Sequence, residues 1–253
     1  MNLLVKRILS CLLFGSSVLT VSLNAQIVTD RPDQTESSLV VGKGNLQLES
    51  GVLLSYSGYE ENPAFGTRSF KPNNLFRYGV SENLEFRLLQ QFESIRFDTN
   101  KIAGLNDLEI GAKYNLSKDS SKTQIALLGH LILPSGTIGI SNEEFGFMAR
   151  VLISHPLKNG WSIGYNIGSF STGDKSFNLL YTLSLAKSVS DRVGFFIEPY
   201  GELLDFDETI LKFNAGFVYQ VADHVQIDFS FGTGMSSKSN FLSFGCSWLI
   251  QGV

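Results

Sequence analysis

From residue 45 onward, apolar and polar positions take turns. In H-V-Q-I-D-F-S-F-G-T-G, Val225, Ile227, Phe229 and Phe231 fall on one side, and Gln226, Asp228, Ser230 and Gly232 on the other. L-E-I-G-A-K-Y-N-L sets Leu108, Ile110, Ala112, Tyr114 and Leu116 against Glu109, Gly111, Lys113 and Asn115. W-S-I-G-Y-N-I-G repeats the pattern, as does the last segment, with Leu242, Phe244, Cys246, Trp248 and Ile250 opposite Ser243, Gly245 and Ser247. Successive side chains of a strand point to opposite faces, so a sustained period of two predicts strands. Twelve such segments occur, near 45–58, 73–81, 83–94, 105–117, 122–134, 145–155, 160–171, 176–188, 192–204, 210–221, 224–235 and 240–250. Most have the roughly ten residues that a tilted strand needs to cross a bilayer, against about five or six for an ordinary soluble strand.

The connections alternate as well. Ser81-Glu82-Asn83, Ser117 to Ser121, Lys158-Asn159-Gly160, Ser188 to Arg192 and Ala222-Asp223-His224 are tight and polar, while those between them are generally longer, the longest running from Tyr59 to Pro72. Short turns at one rim and long loops at the other is the asymmetry of an outer-membrane barrel. An even number of strands places both chain ends on the same side. Two places depart from the pattern. Gln90-Gln91 interrupts the third strand and predicts a bulge there, and Pro199 removes a ladder donor from within a strand.

Composition decides what the alternation is for. The chain is 43% hydrophobic with 20 Phe, 8 Tyr and 24 Gly. The polar faces carry mainly Gly, Ser, Asn and Gln with sparse charge, where a soluble sandwich would show Lys and Glu to water. Twelve large apolar faces turned inward would need an implausibly large core. Turned outward to lipid they need none, and a closed barrel satisfies every backbone polar group. The expected fold class is therefore all-β: a closed antiparallel transmembrane β-barrel of about 12 strands, with short periplasmic turns and longer extracellular loops. A soluble sandwich is the alternative.

Ahead of the alternation stands a leader. Lys6 and Arg7 precede an apolar stretch from Ile8 to Leu23, and Asn24-Ala25-Gln26 offers a cleavage point, although Leu23 is large for its position. This pattern reads as a secretory signal peptide over residues 1–25, with an uncleaved anchor as the alternative. Residues 26–44 then form a periplasmic N-terminal segment and residues 45–253 the barrel, in the outer membrane of a Gram-negative-type bacterium. Without the leader the chain holds 18 basic and 24 acidic residues, a net charge of −6. That excludes the basic face that nucleic acid requires. Only Cys246 remains, so no intramolecular disulfide forms.

Strand parity nominates the lumen lining: Glu49, Arg77, Glu85, Arg87, Glu109, Lys113, His130, Arg150, Glu198, Glu202, Lys212 and Asp228. Such charges either tune which solute passes or pair across neighbouring strands to hold the barrel's shape. A charge facing lipid at mid-membrane would cost about 2–4 kcal/mol, so inward placement is required in both cases. T-D-R-P-D-Q-T-E-S, residues 29–37, supplies a second cluster: Asp30, Arg31, Pro32, Asp33 and Glu36. It is expected at the periplasmic mouth, pairing with residues such as Arg77, Arg87 or Glu49 as a constriction or seal. No catalytic residue is nominated. His130 and Ser135 are near in sequence, but a serine nucleophile needs a histidine on its own side, and alternation sets these two on opposite faces. No metal or cofactor is expected, since no Cys pair, His pair or repeated Asp loop has ligand spacing; Asp205, Asp207 and Glu208 read as a solvated acidic rim. Tyr56, Tyr78, Tyr114, Trp161, Tyr165, Tyr181, Tyr219 and Trp248 lie mainly near strand ends, as interfacial belts do.

Two further stretches accompany T-D-R-P-D-Q-T-E-S and G-N-L-Q-L-E-S-G: G-L-N-D-L-E-I-G-A-K-Y-N-L at 104–116 and L-I-L-P-S-G at 131–136. Together they resemble the exported family called "putative MetA-pathway of phenol degradation", whose members look like outer-membrane barrels and are often described as transporters. The resemblance implies a porin-like channel for a small solute, hydrophobic or aromatic ones included, moving by passive diffusion among outer-membrane lipid. It implies no phenol chemistry in this chain. Asn106 stands where the family pattern has a glycine. A non-conducting structural or adhesive barrel is the alternative, and a lipid-modifying barrel enzyme a more distant one.

Overall fold

A computed structural model of the chain describes residues 27–58, 66–118, 121–173 and 176–253. The expected leader at 1–25, most of the loop from Tyr59 to Gly66 and parts of two turns lie outside the described residues. The wall is one antiparallel sheet: β1 (Leu46–Ser57), β2 (Thr67–Gly79), β3 (Leu84–Phe97), β4 (Asn100–Leu105), β5 (Leu108–Asn115), β6 (Gln124–Leu133), β7 (Gly146–Pro156), β8 (Trp161–Ser171), β9 (Asn178–Ser188), β10 (Val193–Leu204), β11 (Glu208–Ala222), β12 (Val225–Gly234) and β13 (Ser239–Ile250). Neighbours pair in sequence order, β1 pairs with β13, and the circle is complete. β4 and β5 lie end to end against β3 and count as one stave, which makes a closed 12-strand barrel.

The irregularity expected at Gln90-Gln91 sits instead in the neighbouring stave. β3 holds one register against β2, from Gly79↔Glu85 to Thr67↔Phe97. On its other side, Phe92 pairs with Leu105 while Leu89 pairs with Glu109, so the β4–β5 stave carries one extra residue between them. That residue reverses the parity of the stave, as a bulge does. Gln90 serves the break, donating from Nε2 to the Asn106 carbonyl at 2.8 Å, while Asn106 N donates to the Gln91 carbonyl at 2.8 Å. At Pro199 the β9–β10 ladder is interrupted between Ile197↔Leu185 and Tyr200↔Thr182, though pairing with β11 continues through Pro199↔Phe213.

Three strands run further than alternation predicts. β2 begins at Thr67, within the stretch expected as loop, and β3 and β4 continue as a hairpin through Arg96, Phe97, Asn100 and Lys101. Backbone pairing persists there although the apolar face has ended, because this end of the sheet has left the hydrocarbon and neither face needs to be apolar.

The two faces of the wall are inverted relative to a soluble protein. Phe86, Ile110, Leu127, Ile167, Phe195, Phe231 and Phe244 are exposed on the outside. Gln47, Glu49, Arg77, Glu85, Lys113, Glu198 and Asn214 are fully buried on the inside. The buried apolar cluster is small, comprising Ala126, Leu128 and Leu152 with Met148 packed against it. Tyr78, Tyr114, Trp161, Tyr219 and Trp248 stand exposed at the short-turn ends of β2, β5, β8, β11 and β13, where a ring with a polar tip meets both lipid and water. Tyr165 differs: it stacks on His155 and its hydroxyl lies 3.1 Å from His155 Nε2.

Candidate functional site: the strapped lumen

Residues 27–44 run inside the wall and not beneath it. The strap from Ile27 to Gly44 carries no regular structure, so its backbone groups need partners from elsewhere. The wall's inward carboxylates supply them. Glu49 accepts from Asp30 N at 3.0 Å, Glu198 accepts from Gln34 N and Thr35 N at 2.8 and 2.6 Å, and Glu85 accepts from Val41 N at 2.9 Å. Wall donors serve the strap's carbonyls in turn. Gln47 Nε2 and Arg77 Nη1 donate to Val28 O, Asn115 Nδ2 to Ser38 O, and Lys113 Nζ to Ser37 O.

The strap's own charges complete the network. The Asp30 carboxylate lies 2.6 Å from Arg87 Nη1, 2.8 Å from Lys113 Nζ and 3.3 Å from Arg77 Nη1. Arg77 also meets Glu49 at 2.7 Å and Glu85 at 2.8 Å, and Arg87 meets Glu36 at 2.9 Å. Three wall cations are thus enclosed by Asp30, Glu36, Glu49 and Glu85, so each buried group faces a partner of opposite sign. Arg31 points the other way, to β12 and β13: its guanidinium donates to both Asp228 oxygens, to Ser243 Oγ and to the Phe244 carbonyl. It lies over Gly51 and Gly245, which face each other across the β1–β13 seam, and any side-chain carbon there would collide with it. The Arg31–Pro32 peptide is cis. Asp33 faces Ser184 and Glu198.

The remaining nominated residues lie toward the loop side of the strap. His130 Nδ1 lies 2.8 Å from Glu109, while Arg87 Nε donates to His130 Nε2 at 3.1 Å. That leaves the proton on Nδ1 and makes the pair a hydrogen bond to the carboxylate. Arg150 reaches Gln34 O and Glu36, both at 3.4 Å. Lys212 and Glu202 pair at 2.9 Å, each with more than a quarter of its side chain exposed, and Lys212 lies over the ring of Tyr200. The Ser135 hydroxyl accepts from Leu108 N and meets Leu133 O, away from His130. Asp205 accepts from Phe177 N, and among the described residues no group of three metal-ligating side chains converges.

Two features lay outside the nominated set. One is the glycine pair that seats Arg31. The other is Asp107, whose carboxylate accepts from Ser135 N, Gly136 N, Ser141 Oγ and Asn142 N at 3.1, 2.9, 2.6 and 2.9 Å. It ties the loop after β6 to the break between β4 and β5. Burial alone would raise this carboxyl, but the Ser141 hydroxyl and the N–H groups of Asn142, Gly136 and Ser135 hold it below the usual carboxylate range. The Asp of G-L-N-D-L and the Ser-Gly of L-I-L-P-S-G are therefore direct partners.

The strap divides the interior. On its loop side lies a cavity of about 320 Å³, bordered by Asp33, Arg87, Glu109, His130 and Arg150 with Leu53, Leu89 and Met148. A second of about 230 Å³ adjoins it, sharing Glu109, Met148 and Arg150 and adding Phe170, Leu180 and Tyr200. On the turn side a separate cavity of about 340 Å³ is bordered by Val28, Leu39, Gln47, Asn115 and Leu249. No residue borders both the first and the last of these.

An apolar exterior, a polar interior and a closed circle of staves define a transmembrane β-barrel of the outer-membrane type. Solved structures share this fold. The COG4313 outer membrane channel from Pseudomonas putida F1 superposes with a TM-score of 0.72 at 12% identity, over 87% of this chain and 99% of that one. The KdgM porin gives 0.56 at 11% identity over 80% and 98%, and the NanC porin 0.54 at 10% identity over 80% and 98%. No curated protein sequence matches the chain. Residues 29–250 match the family described as "Putative MetA-pathway of phenol degradation", and the chain belongs to that family.

Proposed function

We propose that the protein is a passive outer-membrane channel for a small solute, closed at rest by its own N-terminal strap. The observation that carries this reading is how the strap is held. A segment needed only for stability would bury apolar side chains. This one buries only two, Ile27 and Pro32, and is held mainly by ion pairs and hydrogen bonds, contacts that water can replace where the moving segment becomes solvated. The loop-side cavities combine apolar surface from Leu53, Leu89, Met148 and Phe170 with the Glu109–His130 hydrogen bond and the Glu202–Lys212 ion pair. That suits a small solute with an apolar or aromatic body and one or two polar groups.

The test is single-channel recording in planar lipid bilayers, comparing the full mature barrel with a form lacking residues 29–37. The full barrel is expected to be silent or nearly so, and the shortened one to conduct. The closed interior itself favours a second reading, a non-conducting structural barrel. Absence of current from both forms, with the shortened form still folded, would select that reading and remove the channel.

A further inference from the structure

The outer face near the loop rim carries a feature that the lumen does not explain. Arg68 pairs with Arg96 across β2 and β3, and Arg96 pairs with Lys101 across β3 and β4. Partners in antiparallel register share a face. On β2 and β3 the inward face is marked by Arg77, Leu75, Glu85, Arg87 and Glu93, so Arg68, Arg96 and Lys101 all stand on the lipid side. All three are exposed. Neighbouring strands are about 4.8 Å apart, so the three cations sit within about 10 Å of one another. Of the nearby acids, Glu93 faces inward and is taken by Lys71 at 2.6 Å, and Asp98, in the turn between β3 and β4, forms no ion pair with any of the three. Among the described residues none of the three cations forms an ion pair.

Like charges directly opposite one another destabilise a sheet, and a cation within the hydrocarbon is costly. The arrangement is favourable only at the level of the headgroups and with an anion to share. The surroundings fit that level. The register continues from Arg68 to Tyr56 and from Tyr56 to Asn240, while one pleat nearer the membrane centre it runs Phe70, Leu54, Leu242, Phe231. The polar row therefore stands directly on the edge of the apolar band. Between the two rows lies an open, mainly apolar groove of about 740 Å³, bordered by Leu54, Tyr56, Phe231 and Leu242, with Arg68 at its margin.

We propose that Arg68, Arg96 and Lys101 seat the phosphorylated headgroup of an outer-leaflet glycolipid, with one of its acyl chains in the groove beside Arg68. Two guanidinium groups offer forked donors to phosphate oxygens and the ammonium a point charge. The seat is on the outside of the wall, so it does not depend on whether the lumen conducts.

The folded mature barrel in detergent micelles is titrated with lipid A bearing both phosphates, with lipid A from which the phosphates have been removed, and with inorganic phosphate as competitor. The variant is Arg68→Gln/Arg96→Gln/Lys101→Gln. A basic residue near an anionic lipid surface contributes about a fivefold gain in binding, so the triple variant is expected to bind phosphorylated lipid A about a hundredfold more weakly. Dephosphorylated lipid A should bind the unaltered barrel about as weakly. Lys187→Gln/Arg192→Gln, which removes two cations from the opposite rim, should leave the affinity unchanged. Heat-dependent gel mobility confirms that each variant is folded. Equal binding by the triple variant would overturn the proposal, as would equal binding of dephosphorylated lipid A. Full displacement by inorganic phosphate would assign the row to a free anion and overturn the lipid seat.

Discussion

The two halves of the lumen are built from the same staves yet solve opposite problems. Where the strap crosses, Arg77, Lys113 and Arg87 are buried and each meets a carboxylate from the strap or wall. On the loop side, Glu202 and Lys212 pair at the edge of open space and Glu109 is a quarter exposed. Charge in the first half is consumed by the protein itself. In the second it remains within reach of a solute. A charged lumen is therefore not one property: whether a charge fixes structure or meets cargo depends on whether another segment of the chain has reached it first.

The comparison can be broken most severely by removing the strap. Losing a buried, paired carboxylate costs about 3–5 kcal/mol. Omitting residues 29–37 removes several anchors at once and should raise the open fraction by on the order of a hundredfold or more, read as open time in planar bilayers. Asp30→Asn is the next largest change. It removes the one carboxylate that Arg77, Arg87 and Lys113 share and should lower the midpoint of heat-dependent gel mobility while raising conductance. If the midpoint falls and the current does not, the Asp30 cluster stabilises the barrel without governing closure.

Gly245→Val sharpens the comparison differently, since it leaves every charge in place and removes only the room for Arg31. Overpacking of this kind costs about 1–3 kcal/mol. The expected result is an intermediate conductance with Asp228 left unpaired, and Asp228→Asn in the same chain should add little. Asp107→Ala should expose the loop after β6 to protease at a cost of about 1–3 kcal/mol, from buried donors left unsatisfied, without opening the lumen. Because this carboxyl is held below its usual value, its contribution is present above the ordinary carboxylate pKa of about 4 and fades only as pH falls through the lower folded value. Protease sensitivity of the loop should thus be flat from neutral to mildly acidic pH and rise only in stronger acid. Glu202→Gln is the smallest change. An exposed pair is worth about 0–1 kcal/mol, so stability should hold while ion selectivity of the strap-less form moves toward anions.

Alternation made much of this legible. It placed the strands, their number and the two faces, because burial on one side of a sheet repeats every second residue. It could not show how deep T-D-R-P-D-Q-T-E-S reaches. That depends on contacts between residue 31 and residues 228 and 243, which no local period encodes. The stave that holds the bulge is hidden from alternation for a related reason. Gln90-Gln91 is a visible polar interruption, but an extra residue between Leu105 and Leu108 appears only when two strands are counted against each other. Asp107 carries no local signal, because its partners are loop N–H and hydroxyl groups 28 to 35 residues away. The one available signal was that its motif and L-I-L-P-S-G occur together.

Gly51 and Gly245 belong to the first and last strands, which meet only when the ring closes. Arg31 rests across that junction and bonds to β12 and β13, while its neighbour Asp30 is held by β2, β3 and β5. Each seat lies on adjacent strands, but the two stand on either side of the seam and come within one strap's reach only when the ring closes. A strap held at both seats at once is thus like a latch that engages only on a shut door, and it certifies that the ring has closed.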